Sequence, residues 1–271
     1  IALNQATMNG SRLFGPLAIA PLLAFGGVEA AFFLCTGFYA VSLVQTLRIR
    51  TSSTGEVDRD RSFVSNMLQG LVYVYRRPVL RALVIITLFH CGMTMSFESL
   101  LPVLSDQRLN ASGAGFSYLM MAVGFGALIT ILGIAGVTSE STKGKLFLTL
   151  GVLSGLAPAM LALSTGMPMA LVGAVAMGAS QGGFMTLSNT MIQALTDDSV
   201  RGRVGAVYSV HIGGTMATVN LINGGLADHV DAAALLMVAG LGFVAVMLAS
   251  WQGVTFRRIY TGKLLTAAAA D

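Results

Sequence analysis

Three ionisable side chains lie inside long apolar runs of this sequence, where a charge is costly. They are Arg12, His90 and Glu98. An ionised group at the centre of a bilayer costs about 2.5–3.5 kcal/mol on insertion scales, so such a group needs a partner or a function. The Glu98 carboxyl could take up and release a proton, and Arg12 could meet an anionic substrate or a proton-carrying acid.

Each of these residues also has a structural explanation. Arg12 could be a helix-end arginine whose guanidinium extends to the lipid headgroups. Glu98 could be an interfacial residue near the outer mouth of its helix, in contact with water. His90 precedes Glu98 by two helical turns, so the two could form a proton relay on one face. A single histidine in such a helix is also commonly a hydrogen-bonded packing residue, and both readings stay open.

Further polar side chains occupy two later apolar runs. Gln181, Asn189 and Gln193 share one run, and His211 and Asn220 share the next. Side chains of these types can hydrogen-bond a polar substrate, and they can equally join one membrane helix to another. We therefore count them as candidates for substrate binding or proton coupling beside the three ionisable residues.

The composition decides which elements must carry these residues. Hydrophobic residues make up 55% of the chain and charged residues 10%, whereas soluble domains carry about 25% charged residues. So few charges cannot cover a water-facing surface, and the 32 glycines suit closely packed membrane helices. We predict a polytopic membrane protein. The net charge of +4 does not indicate nucleic-acid binding, because no basic run is interleaved with aromatic residues.

Membrane spans can be placed from the length of the apolar runs. A spanning helix needs about 20 mainly apolar residues, and about eight runs meet that requirement. They must be helices, because lipid leaves free backbone groups unpaired and the runs lack the strict alternation of a membrane β-barrel. The predicted fold class is therefore all-α integral membrane. The predicted spans are 2–25, 28–47, 79–104, 113–136, 145–164, 168–194, 203–226 and 231–253.

The polar connector at 49–78 contains the stretch FVSNMLQGLVYVYRRP, whose apolar residues recur at helical spacing. This spacing predicts an amphipathic helix that lies on the membrane surface. Lys and Arg concentrate in this connector, in the 137–144 loop, in the stretch 193–209 and in the C-terminal tail, and they are rare in the alternate connectors. By the positive-inside rule we expect these segments to face the cytoplasm, in a multi-pass protein of the cell (inner) membrane.

The stretch QALTDDSVRGRVGAVYS, residues 193–209, places charges in a short island between two apolar runs. We expect Arg201 and Arg203 to hold a tight turn, and the island to act as a gating hinge rather than a substrate site. We expect Asp197 and Asp198 to cap the start of the following helix, since that end of a helix dipole favours negative charge. We expect Gly202 and Gly205 to let the turn pack closely.

Further glycines recur along the predicted spans at spacings that favour close helix–helix packing rather than ligand binding. They are Gly124, Gly126, Gly133, Gly136, Gly173, Gly178, Gly182 and Gly183.

The longer stretch NTMIQALTDDSVRGRVGAVYSVHIGG resembles the cytoplasmic turn between helices ten and eleven of major facilitator superfamily transporters, in the enterobactin-exporter and macrolide-efflux-like branch. NGSRLFGPLAIAPLL resembles the fifth helix of that group, and RPVLRALVIITLFHCGMTMSFESLLPVLS resembles the seventh. By this resemblance Gly15 and Pro16 kink a helix so that it can rock. The matching residues are Arg12, Gly15, Pro16, Asn189, Gln193, Arg201, Gly202, Arg203 and Val204.

The resemblance implies helices five to twelve of a twelve-helix bundle, so we expect four helices to precede this chain. A shift of about 203 residues lays one helix pair over another, as in transporters built from two repeats. The implied division is 1–48 for the last two helices of the first half, 49–78 for the cytoplasmic connector, 79–255 for the six-helix second half and 256–271 for the tail.

The resemblance also implies a function. We expect a secondary transporter, a proton-coupled exporter of small amphipathic molecules of the drug or siderophore type, working by alternating access. It would be no enzyme, since the phosphate-binding, zinc-protease and serine-hydrolase motifs are absent. It would use the proton gradient in place of a cofactor, contact only substrate and lipid, and be monomeric when complete. The alternatives are a lysophospholipid flippase of the same superfamily and a truncated, transport-incompetent membrane protein.

Overall fold

The computed structural model describes residues 2–50, 63–111 and 114–263. Regular structure in these ranges is helical, with a π-helical turn at Cys91–Met95 and a 3-10 turn at Asp198–Val200 between α-helices. The α-helices are α1 (Ala2–Leu47), α2 (Phe63–Arg76), α3 (Pro78–His90), α4 (Leu101–Gln107), α5 (Ala114–Ile134), α6 (Glu140–Ala162), α7 (Met167–Ala194), α8 (Arg201–Leu226), α9 (Ala232–Ser250) and α10 (Val254–Tyr260).

Several helix ends follow directly from local sequence. The Ser139 hydroxyl accepts a hydrogen bond from the backbone N–H of Thr142 and caps α6. The Asp231 carboxylate likewise accepts from the N–H of Ala233, 2.9 Å away, and caps α9. Gly262, with a φ of 77°, follows α10, where a left-handed residue ends the helix without a Cβ penalty.

Six helices in these ranges are long and apolar enough to cross a membrane. The all-α membrane fold is confirmed, but eight spans were predicted. Helix α8 falls short because glycines and polar residues such as His211, Asn220 and Asn223 lower its hydropathy. The spanning candidates are Glu29–Leu47, Pro78–Met95, Gly115–Ile134, Glu140–Ala162, Met167–Ala194 and Ala232–Ser250.

The N-terminal region differs from its prediction. Two spans were expected at 2–25 and 28–47, whereas α1 is one helix of 46 residues. Gly26 and Gly27 each cost a helix only about 1 kcal/mol, so they do not force a turn. A helix of this length extends about 69 Å, more than twice the hydrocarbon thickness of a bilayer. Its N-terminal part packs on α5, and its residues 29–47 lie outside the bundle.

The predicted span 79–104 is also interrupted. Helix α3 ends at His90, a π-helical turn follows, and residues 96–100 form turns before α4 begins. Pro102 lies in the first turn of α4, where its missing N–H is tolerated, but it could not donate to Glu98 in a continuous helix. We call residues 91–100 the helix break.

The turns between the helices group at two ends of the bundle. We call one the basic end, because it holds the α2–α3 junction at Arg76 and Arg77, the α8 start at Arg201, and the exposed Arg257 and Arg258 of α10. We call the other the distal end. It holds the helix break and the turns at 163–166 and 227–231, and there the Arg108 guanidinium donates to the Ala162 carbonyl at 2.6 Å.

Helix α7 is the centre of the bundle and packs against α5 on one side and α6 on another. The α5–α7 contact is so close that a Cβ on Gly178 would overlap the Val123 carbonyl, and a Cβ on Gly126 would overlap the Val175 carbonyl. In the α6–α9 contact a Cβ on Gly155 would lie 2.6 Å from the Gly240 carbonyl. Glycine therefore sets the spacing of the helices.

The glycine prediction is confirmed for part of the set. The members that meet a neighbouring helix closely are Gly126, Gly173, Gly178, Gly182 and Gly183. It is wrong for Gly133 and Gly136, which have nothing within 4 Å of an added Cβ. Both stand at the exposed end of α5 or just beyond it, where no helix packs against them.

Replacing Gly178 by Ala should push α5 and α7 apart, because the new Cβ meets backbone that cannot rotate away. We expect a loss of about 1–3 kcal/mol in the free energy of unfolding, the range for overpacked cores. Denaturant titration of the purified protein in detergent measures the loss. Gly133→Ala is the matched control, and an equal loss there would contradict this account.

Candidate functional site

The helix break frees backbone N–H and C=O groups that a continuous helix would pair internally. Side-chain amides from two other helices bind these groups instead. The Asn223 amide donates to the Ser96 carbonyl at 2.6 Å. The Asn220 side-chain oxygen Oδ1 accepts from the Ser99 backbone N–H at 3.3 Å and from the Ser99 hydroxyl at 3.1 Å. From α7, the Gln181 amide donates to the Thr94 carbonyl at 2.7 Å. We call Gln181, Asn220 and Asn223 the distal clamp.

Short side chains within the break complete this pairing. The Ser96 hydroxyl donates to the Cys91 carbonyl at 2.8 Å, and the Thr94 hydroxyl donates to the His90 carbonyl at 2.8 Å. Irregular backbone at membrane depth is tolerated only where protein or a water-filled cavity satisfies it. The break is therefore a supported feature whose geometry depends on where α7 and α8 stand.

Glu98 lies half-buried in this break rather than inside a continuous helix. Its neighbour Ser99 is the residue held by Asn220. The helical spacing that suggested a relay between His90 and Glu98 is absent, because π-helical and turn residues separate the two. The structure does place Asn220, a candidate predicted in a later run, against Ser99, the residue that follows Glu98.

His90 is fully buried in an aromatic cluster. Its ring stacks on Phe184 with the centroids 4.3 Å apart and meets the edge of Phe243 at 5.2 Å. Neither ring nitrogen has a hydrogen-bond partner in the described part of the chain. The structure thus places His90 in packing between α3, α7 and α9, and the expected hydrogen bond is not made.

The candidates in α1 give less information. Gly15 is helical with nothing within 4 Å of an added Cβ, and the backbone stays helical through Gly15 and Pro16. The side chains of Arg12 and Pro16 lie outside the described residues.

Asn189 and Gln193 lie one turn apart on α7 and are half-buried. The Gln193 side-chain amide donates to the Asn189 side-chain oxygen Oδ1 at 3.1 Å.

A second polar cluster lies at the basic end. The Tyr73 hydroxyl of α2 donates to the Asp197 carboxylate at 2.9 Å, and the Arg77 guanidinium meets the same oxygen at 3.1 Å. The guanidinium carbon of Arg77 also lies 4.1 Å from the Tyr73 ring centroid. We call Tyr73, Arg77 and Asp197 the basic-end latch, because it ties the α2–α3 junction to the turn between α7 and α8.

The latch changes the ionisation of its own members. The hydrogen bond from Tyr73 and the positive charge of Arg77 hold the pKa of the Asp197 carboxyl below its ordinary value. Partial burial raises the pKa of the Tyr73 hydroxyl. At neutral pH the pair is therefore a neutral phenol donating to a carboxylate, and the interaction weakens only when acid protonates Asp197.

The charged island behaves differently from its prediction. The residue that caps α8 is Val200, and neither Asp197 nor Asp198 forms a side-chain cap. Asp197 is instead taken by Arg77, and Asp198 pairs with Arg201 at 2.5 Å. Ion pairs, one to a distant arginine and one within the turn, thus take the place of the caps that local sequence favours.

The glycines of the island also differ from prediction. Gly202 and Gly205 were expected to pack closely, but nothing lies within 4 Å of a Cβ added at either position. They begin an exposed row of small residues along α8 that the described helices do not cover. The row continues through Ala206, Ser209, Gly213, Gly214, Ala217 and Thr218.

Helix α2 docks on the first half of α8. A Cβ on Gly70 would lie 3.0 Å from the Arg203 carbonyl, and the Arg203 guanidinium donates to the Gln69 side-chain carbonyl at 3.2 Å. His211 Nδ1 lies 2.8 Å from the Val207 carbonyl, which can only accept, so this nitrogen carries the proton. In the neutral imidazole, His211 Nε2 then accepts from the Tyr75 hydroxyl at 3.1 Å. The predicted substrate candidate His211 thus holds α2 in place.

Sequence reasoning missed Asn223 and the pair Tyr73 and Arg77. Asn223 follows Asn220 by three residues, so the two share a helix face, and this i, i+3 pairing was an available signal. The partners of Tyr73 and Arg77 lie more than 100 residues away in sequence. No local sequence pattern predicts such contacts.

Helix α8 is the element that these contacts share. The distal clamp holds it near its C-terminal end, and α2 holds it near its N-terminal end. A bundle of apolar helices with one interrupted helix, closed by polar side chains at both ends, has the architecture of a multi-pass membrane protein.

The comparison with protein families identifies that class more closely. The chain belongs to the transmembrane secretion effector family, a family of major facilitator type, whose model matches residues 1–259. The predicted superfamily is thereby confirmed, and the predicted branch stays a prediction.

Individual relatives are more distant. The chain is 28% identical over 259 residues to the multidrug efflux pump Tap of Mycolicibacterium fortuitum, covering 90% of this chain and 61% of that protein. It is 25% identical over 210 residues to the Tap pump of Mycobacterium tuberculosis, covering 76% of this chain and 49% of that protein. The Bacillus subtilis MFS-type transporter YvqJ is 22% identical over 79% of this chain and 50% of that protein. The chain thus spans about half to three fifths of these relatives.

The distal clamp should contribute measurably to stability. Asn223→Leu removes the donor to the Ser96 carbonyl and leaves it unpaired, which typically costs about 1–3 kcal/mol. Denaturant titration in detergent should show this loss. The control Thr218→Leu makes the same kind of change on the exposed face of α8 and should leave stability nearly unchanged. Equal losses in both variants would show that Asn223 has no special role.

The basic-end latch should make the docking of α2 depend on pH. Because the pKa of Asp197 is depressed in the folded state, its stabilising contribution is present at neutral pH and is lost as acid protonates the carboxylate. At pH 6 the α2 amides should exchange hydrogen faster in Asp197→Asn than in the unmodified protein, and the two should converge as acid protonates Asp197. Hydrogen-exchange mass spectrometry measures this.

Asp198→Asn is the matched control for the latch. It removes a neighbouring carboxylate that pairs with Arg201 inside the same turn, so α2 exchange should stay as in the unmodified protein. A difference between Asp197→Asn and the unmodified protein that does not shrink at any pH as the solution is acidified would refute the role of the Asp197 charge.

Proposed function

We propose that this chain forms part of a secondary exporter of small amphipathic molecules, driven by proton entry and working by alternating access. The observation that carries the proposal is family membership together with the two Tap relatives, which are named multidrug efflux pumps. The transported molecules would be drug-like or siderophore-like. The energy would come from the proton gradient, with no cofactor, and the complete protein would act as a monomer.

The arrangement of α8 supports alternating access. Both of its ends are held by contacts made of a few hydrogen bonds, while its exposed row of small residues allows another surface to slide past at short distance. Each such hydrogen bond contributes about 0.5–1.5 kcal/mol, so a rocking motion can exchange it for another. In this proposal the distal clamp opens in the outward-facing state and the island near Arg201, Gly202 and Arg203 hinges in the inward-facing state.

Glu98 is the acid we propose for proton handling. It lies in the helix break, so its surroundings change whenever Asn220 and Asn223 leave their partners Ser99 and Ser96. A carboxyl whose environment alternates can bind a proton in one state and release it in the other. Arg12 stays the proposed contact for an anionic substrate or for a proton-carrying acid. The basic end would face the cytoplasm of a cell with the protein in its inner membrane.

Transport by the complete protein tests this function. Everted membrane vesicles that contain the full-length transporter should accumulate ethidium in their lumen when a proton gradient is imposed and stop when it is dissipated. Glu98→Gln should reduce this gradient-driven uptake to near the level of empty vesicles while leaving protein levels intact. Asp106→Asn, an exposed acid at the end of α4, should transport as well as the unmodified protein.

Two outcomes would overturn this proposal. If ethidium uptake by Glu98→Gln vesicles stays coupled to the gradient, the proton site lies elsewhere. If the vesicles scramble a labelled lysophospholipid but accumulate no ethidium, the protein is a lipid flippase rather than a drug exporter.

A further inference from the structure

Helix α2 has apolar residues on two sides, and only one of these sides is packed. Gly70 and Val74 face α8 and are buried. Val64, Leu68 and Val72 recur every four residues and so form a row along the helix. Their side chains are 57%, 51% and 45% exposed. A docked helix with a second apolar row needs a cover for that row.

The row forms the wall of a groove of about 700 Å³ that leads to positive charge. Arg76 and Arg77 lie at one end of the groove, and Gln69 and Tyr73 line its polar side. The Arg77 guanidinium is engaged by Asp197. Arg76 is exposed and forms no salt bridge to any described residue, so its charge is available to a ligand.

The position of these arginines relative to the bilayer follows from the helix that begins directly after them. Pro78 begins a helix apolar enough to span a membrane, so Arg76 and Arg77 stand where that helix enters the bilayer. Headgroup phosphates lie at this level, and an arginine beside an apolar face typically extends to them. The apolar row of α2 then lies next to the acyl region rather than in water.

We propose that this groove binds an anionic glycerophospholipid of the adjacent leaflet. An acyl chain covers Val64, Leu68 and Val72, and the headgroup phosphate accepts hydrogen bonds from the Arg76 guanidinium. Such a lipid would brace α2 against α8 from the side opposite to Gly70. Lipid binding at this groove does not depend on transport activity, so it can be tested whatever molecule the protein carries.

Spin-label accessibility tests what covers the row. Leu68→Cys is made in a Cys35→Ser background, since Cys35 is exposed and Cys91 is buried, and the full chain is labelled and reconstituted in phosphatidylglycerol–phosphatidylcholine bilayers. The label at 68 should be accessible to oxygen and shielded from a water-soluble nickel chelate. Ser199→Cys in the exposed turn is the control and should show the reverse.

Lipid selectivity tests the charge. Native mass spectrometry of the full chain should retain phosphatidylglycerol in preference to phosphatidylcholine. Arg76→Gln should weaken phosphatidylglycerol retention about fivefold, the factor expected for one arginine near an anionic membrane surface. Arg257→Gln, which removes another exposed arginine just beyond a span, should leave this retention unchanged.

Three results would overturn the proposal. Accessibility of the label at 68 to the nickel chelate would place the row in water. Shielding from both reagents would mean that a protein segment covers it. Equal retention of the two lipids, or equal weakening by Arg76→Gln and Arg257→Gln, would show that the groove has no headgroup site.

Discussion

The close approach of α5 and α7 is the contact on which the rest of the bundle depends. Two glycines, Gly126 and Gly178, let each backbone meet the carbonyl groups of the other helix without an intervening side chain. In lipid, where the hydrophobic effect does not drive helices together, such packing supplies much of the association. It also sets the position of Gln181, one turn beyond Gly178, and so places this amide against the helix break.

The helix break shows how a polar feature survives in an apolar setting. Breaking a membrane helix frees backbone groups whose desolvation costs several kcal/mol each, so partners must be in place before the break is tolerable. Three amides on α7 and α8 meet that need. Because two of them belong to α8, any movement of this helix alters the pairing of the break and the surroundings of Glu98. Structural support and the proposed coupling thus use the same hydrogen bonds.

Prediction from sequence succeeded where one strong local signal decided the outcome. Apolar length found the six spanning candidates, helical spacing found α2, and glycine spacing found the closely packed faces of α5 and α7. It failed where distant partners competed with a local preference. Asp197 could have capped α8, but Arg77 and Tyr73 bind it instead. The apolar run around Glu98 predicted a continuous helix, whereas the structure breaks it where amides from other helices pair the freed backbone groups.

The sequence by itself determined that the chain is an all-helical membrane protein of major facilitator type, and which residues stand inside its apolar runs. Composition and apolar length suffice for the membrane-helical class, because the bilayer admits few alternatives, whereas the family came from the resemblance of three motif-bearing stretches. Only the tertiary structure decided that His90 packs among aromatic rings, that His211 anchors α2, and that Asn223 supports the break. These roles depend on which helices meet side by side, and pairings between residues more than 100 positions apart leave no periodic trace in a single sequence.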